Sequence, residues 1–193
     1  TVSNGPDAHA GEEMDIILPP SAGTQARHHG FPYQFGDVPA GRKWYPHTPS
    51  APANADFVLP VANLGPDGWE GSKPGFTFDP HSSPAGIAWL GDTFPEPVRN
   101  AFVVGRFGNL IPTGTGRDAG FDLLLVRPEQ QPDGRWAARV NTFLAPLARP
   151  LDVAVVAPGK LFVLEYTRPL NFRDQVGWLP GRILELAAKP LAR

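Results

Sequence analysis

Apolar positions along this chain fall in short bursts bounded by Gly, Pro, Asn and Asp, with no sustained helical period. That pattern predicts strands joined by turns. From Pro84 onward the bursts are regular, giving strands at about 85–90, 101–107, 121–127 and 136–144. Asp-Thr, Gly-rich and Gln-Pro-Asp-Gly turns separate them. A second series is predicted at 152–157, 161–167 and 182–187, although Leu186-Ala187-Ala188 also reads as a short terminal helix. Before Pro84 the signal thins. Residues 1–11 are polar and turn-rich, residues 12–18 (Glu-Glu-Met-Asp-Ile-Ile-Leu) read as a strand stopped by Pro19-Pro20, and 57–61 as another. The rest of 38–80 reads as loop, long enough to suggest an active-site cover or an interaction surface.

The regular part states one line twice. Pro84-Ala85-Gly86-Ile87-Ala88-Trp89 leads to Ala101-Phe102-Val103-Val104, and Pro150-Leu151-Asp152-Val153-Ala154-Val155 leads to Leu161-Phe162-Val163-Leu164. Ile87 and Val153 are 66 positions apart (153 − 87). Self-similarity of this kind signals a repeat architecture, here with loops inserted beyond the ~40–50 residues of common propeller repeats. Four antiparallel strands in sequence make one propeller blade. The expected fold is therefore all-β: a partial β-propeller of four-stranded antiparallel sheets, about three blades in one domain. Residues 1–80 would supply an incomplete blade and long loops, 81–148 a complete blade, and 149–193 a last blade lacking its outer strand. Ragged sheets with open edges invite pairing, so the expected partner is a missing N-terminal half-propeller or a second copy of this chain.

Composition narrows the classes. Gly and Pro number 45 together (21 + 24), which leaves little room for long helices. The formal net charge of −2 gives no basic footprint for nucleic acid. Cys is absent, which removes disulfides and thiolate metal sites. No apolar run approaches a membrane span and no leader is visible; the expectation is a mature periplasmic or secreted protein.

Five short motifs occur in a telling order: Gly5-Pro6; Glu12-Glu13-Met14-Asp15-Ile16-Ile17; His29-Gly30-Phe31-Pro32; Pro80-His81-Ser82-Ser83-Pro84-Ala85-Gly86-Ile87-Ala88; and Arg149-Pro150-Leu151-Asp152-Val153-Ala154. Together they resemble the C-terminal half of the soluble glucose/sorbosone dehydrogenases. The resemblance implies a six-bladed propeller carrying pyrroloquinoline quinone (PQQ) and calcium at one mouth of its axis. It implies that the Gly5 and Pro6 carbonyls hold the calcium, a hard cation that takes oxygen ligands. It implies that Arg149 grips the quinone carboxylates, as a guanidinium can do bidentately. His81 and Asp79 would flank the cofactor plane and Arg106 would be a further basic contact.

The sequence also departs from the family. Leu151 stands where the glucose enzymes carry a second arginine, and Asp79 where an aromatic residue stacks on the quinone. The family's histidine base belongs to its N-terminal half, so this chain alone is not expected to oxidise sugar. The expected function is accordingly half of a PQQ- and calcium-dependent sugar dehydrogenase, moving hydride from a sugar hydroxyl to the quinone. The alternative is a cofactor-free propeller that binds carbohydrate or protein, possibly as a homodimer.

Each candidate residue has a plainer reading. Asn4-Gly5-Pro6 makes a turn without any metal, and His81 can cap one. Arg149 can serve as an ion-pair partner of Asp152 or Glu165. Glu12, Glu13 and Asp15 read as a solvated, charge-protected strand edge. His28 and His29, adjacent on an extended segment, would point to opposite faces and make no metal site. Phe31-Pro32 reads as packing between blades.

Overall fold

The computed structural model describes residues 1–5, 10–19, 27–38, 43–68, 75–109, 119–167 and 180–188. Among these there is no helix, and ten strands form three sheets. The strands are β1 (Val2–Ser3), β2 (Glu13–Met14), β3 (Ala62–Pro66), β4 (Pro84–Leu90), β5 (Ala101–Arg106), β6 (Asp122–Gln130), β7 (Trp136–Leu144), β8 (Pro150–Ala157), β9 (Lys160–Thr167) and β10 (Pro180–Ala187). The protein is all-β. Its two larger sheets contain antiparallel meanders packed on one another, consistent with adjacent blades of a partial propeller.

Consecutive strands β4 to β7 form the first meander, as the hydrophobic pattern predicts. Both faces of this sheet are covered, which explains why Leu123, Leu124, Leu125 and Val126 are all buried although they alternate in direction. Ala101, Val103, Leu123 and Leu125 face the second meander, where Val153, Leu161 and Val163 meet them. Val104, Leu124, Val126, Ala138 and Val140 face the opposite way, onto Met14, Val61 and Phe78. Burying such side chains contributes roughly 1.5–3 kcal/mol each, so this double-sided sheet is the energetic centre of the described structure. The second meander, β8-β9-β10, buries one face only; Leu164, Tyr166 and Ile183 are exposed on the other.

Three expectations need correction. The strand expected at 57–61 is not one: Phe57 makes only an isolated bridge to His28, and the strand begins at Ala62. This strand, β3, joins the first meander as a fifth strand parallel to β7. Its sequence, Ala-Asn-Leu-Gly-Pro, carries little β-propensity, so sheet pairing overrides it. Second, the strand expected over 12–18 shrinks to β2, paired with β1 in a segment taken as loop. Third, Leu186 and Ala187 belong to β10, which removes the helical alternative there.

Candidate functional site

The ends of β4, β5, β6 and β8 gather most of the expected site. Pro84 pairs with Arg106 and Arg106 with Asp122 across the first meander, while Gly105 abuts Pro150 at the start of β8. Arg106 is buried and donates from Nε and Nη2 to both oxygens of Asp122, at 2.8 and 2.6 Å, and from Nη1 to Asp79 at 2.7 Å. Burial by itself would lower the guanidinium pKa, but the hydrogen bonds and charge of Asp122, and then Asp79, leave it raised. Arg106 therefore stays charged and held by two buried carboxylates, a geometry expensive to break.

Four non-glycine residues at the starts of β4, β6 and β8 adopt left-handed backbone: His81 (φ 60°), Ser83 (φ 50°), Phe121 (φ 61°) and Arg149 (φ 57°). Each such conformation costs of order 1–3 kcal/mol, and hydrogen bonds hold them. Phe107 N donates to Ser83 O, Gly108 N to Ser82 O, Phe121 N to Arg106 O and Tyr166 N to Arg149 O. Arg149 is 1% exposed; its guanidinium lies over the rings of Phe107 and Phe121, 5.0 and 4.8 Å from their centroids, and Nη1 donates to Asn109 O. The ion pair foreseen between Arg149 and Glu165 is absent: Glu165 accepts instead from Arg182 Nε at 2.5 Å and from Ala148 N. Asp152 accepts from its own neighbour, Val153 N. His81 is half-buried beside a turn in which Ser82 Oγ donates to Asp79 O.

A second polar site lies beside β2. Glu12, Glu13 and Asp15 are 4–5% exposed, so the solvated-edge reading fails. The reason is that β2 is enclosed, with Glu12 N donating to Phe78 O, Met14 N to Thr77 Oγ1 and Val61 N to Met14 O. Each carboxylate ties down a different segment. Glu12 accepts from Gly5 N at 2.6 Å, Glu13 from Gly36 N, and Asp15 faces His29 Nδ1 at 3.2 Å. Burial, reinforced by the charges of Asp15 and Glu12 and partly offset by the Gly36 N–H, pushes Glu13 up to about 8. Burial also raises Asp15, against the opposing hydrogen bond and charge of His29.

Glu13, Asp15 and His29 open onto a cavity of about 250 Å³ bordered by Ser3, Asn4, Phe31 and Phe35. His28 and His29 both line it, contrary to the opposite-faces expectation, because the segment is not a continuing strand: one bridge at His28 precedes the turn over 31–33. Phe31 is 67% exposed rather than packed between blades. Sequence reasoning missed this site because Asp15 and His29 are fourteen residues apart, with no motif to join them.

The implied quinone and calcium can be tested against these residues. Arg106 and Asp79 are committed to each other and Arg149 is enclosed by aromatic rings, so they fit a structural floor and not a grip on quinone carboxylates. Gly5 is half-buried, with its N–H on Glu12, and Pro6 lies outside the described residues. Among the described residues no group of three or more His, Cys, Asp or Glu side chains is arranged to hold a metal. No helix among them is long and apolar enough to cross a membrane. No family model, curated protein or solved structure matches this chain.

Proposed function

We propose that this chain is a portion of a β-propeller of the glucose/sorbosone dehydrogenase type, and that its own contribution is to bind a sugar. Oxidation of the sugar hydroxyl, with PQQ and calcium, would belong to the completed ring. The observation that carries the sugar-binding role is the cavity beside β2, where the His29–Asp15 pair, Glu13 and the exposed Phe31 ring converge. A proton on His29 Nδ1 serves Asp15 and leaves the Nε2 lone pair to accept from a ligand hydroxyl. Glu13, protonated at neutral pH, supplies a carboxylic O–H donor. Phe31 offers an apolar face for the C–H side of a pyranose. The ordered sequence motifs support the family reading.

A second reading, a propeller that binds carbohydrate without any cofactor, draws support from the Asp79–Arg106–Asp122 cluster, in which the one guanidinium is spent on two carboxylates of the chain itself. One measurement separates the readings and a second tests what they share. The chain is mixed with an N-terminal half-propeller from a glucose/sorbosone dehydrogenase, PQQ and calcium, and dye reduction is followed over an aldose panel. Turnover supports the dehydrogenase reading; no turnover, with no change in quinone absorbance, leaves the binding module. Calorimetric titration of the chain alone with the same aldoses tests both, and absence of heat for every sugar defeats the sugar-binding role.

A further inference from the structure

A second cavity, of about 440 Å³, lies on the outer side of the first meander, where β3 meets the β6–β7 turn. It has the size and the apolar lining with few polar groups expected of a small-molecule site. Its apolar lining is Leu59, Pro60, Ala62 and the half-buried Trp136, which also packs against the core. Leu64, 55% exposed, extends the apolar surface.

The polar rim is fixed before any ligand arrives. Gln131 N donates to Arg135 O and Gly134 N to Gln131 O, both at 2.8 Å, which locks the turn. Arg135 donates to Asp133 twice, from Nε at 2.7 Å and from its backbone N–H at 3.0 Å. Asp133 offsets Arg135, and the exposed Asp37 on the same lining leaves one carboxylate in excess; no acceptor among the described residues takes the Nη groups of Arg135. An anion gains little from such a rim. A neutral ligand with one apolar face and an edge of hydroxyls gains from both parts: C–H bonds meet the negative face of the indole, and hydroxyls meet Arg135, Asp133 and Gln131.

We propose that this cavity is a binding site for a neutral pyranose, held face-on by Trp136 and edge-on by Arg135. The site is separate from the cavity beside β2 and does not depend on its role. The test follows the indole N–H resonance of Trp136, assigned with Trp136→Phe, during titration of the full chain with methyl glucosides, methyl galactosides and methyl mannosides. The expected result is a saturable shift with at least one glycoside, weakened five-fold or more by Arg135→Leu and unchanged by His29→Asn. Arg135 is highly exposed, so its replacement leaves folding intact. No shift with any neutral glycoside, a shift indifferent to Arg135→Leu, or a response confined to glucuronate or glucosamine would each overturn the assignment.

Discussion

Gly86 lies against Asp152: a methyl group on Gly86 would sit 2.5 Å from Asp152 Cα and 2.6 Å from Val153 N. These residues occupy the opening strands of the two repeated lines, so the repeats touch each other through their own first strands. The contact is backbone on one side, which cannot swing away. Gly86→Ala is expected to destabilise the fold by at least about 1–3 kcal/mol, the usual cost of overpacking. Gly91→Ala, whose nearest neighbour would be 3.6 Å away, is the control and should stay within about 0.5 kcal/mol. Urea unfolding midpoints of the two variants check this.

Arg106 carries the second prediction. Arg106→Met leaves Asp79 and Asp122 facing each other without their shared cation. A loss of about 3–5 kcal/mol is expected, the usual result of removing one partner from a buried ion pair. Adding Asp79→Asn and Asp122→Asn to Arg106→Met should recover part of that loss. Thermal unfolding of the single and triple variants gives the comparison, and a triple variant no more stable than the single one would contradict the charge argument.

Glu13 predicts a pH dependence. Its carboxyl is raised from 4.5 to about 8 in the folded chain, so the folded state binds more protons than the unfolded state between those values. Stability from this group is full below about pH 4.5 and declines as pH rises through 8. Glu13→Gln keeps the oxygen that accepts from Gly36 N and removes the titration. The variant should show a flatter stability profile over that range, measured by urea unfolding at successive pH values.

Phe31 separates binding from folding. It is 67% exposed and touches Phe35 and Tyr45 only edge-on. Phe31→Ala should change stability by no more than about 0.5 kcal/mol while reducing sugar binding at the β2 cavity several-fold. Calorimetric titration of the variant beside its unfolding curve tests both halves of the statement.

The strands from Pro84 onward were legible because their side chains report their surroundings. Leu123 to Val126 is a continuous apolar run since each neighbour goes to a covered face, and Asp133-Gly134 marks the turn that follows. The first eighty residues were not legible in the same way. β3 is a strand because β7 offers it an edge, and β2 is enclosed because Phe78, Val61 and Thr77 come to it from far along the chain.

The candidate site divides along the same line. The family resemblance singled out Asp79, Arg106 and Arg149 as chemically loaded residues but could not say how their charges were spent. Pairing and burial depend on which residues fold opposite one another, as do the raised Glu13 and the meeting of His29 with Asp15. The all-β class, the repeated opening strands and the turns could be read along the chain alone, because strand periodicity and Gly/Pro punctuation are local properties. That the acidic edge is enclosed, that Arg106 is held between two carboxylates, and that Arg149 lies buried against two aromatic rings follow from how the chain folds back on itself. Desolvation and contact are set by residues distant in the chain.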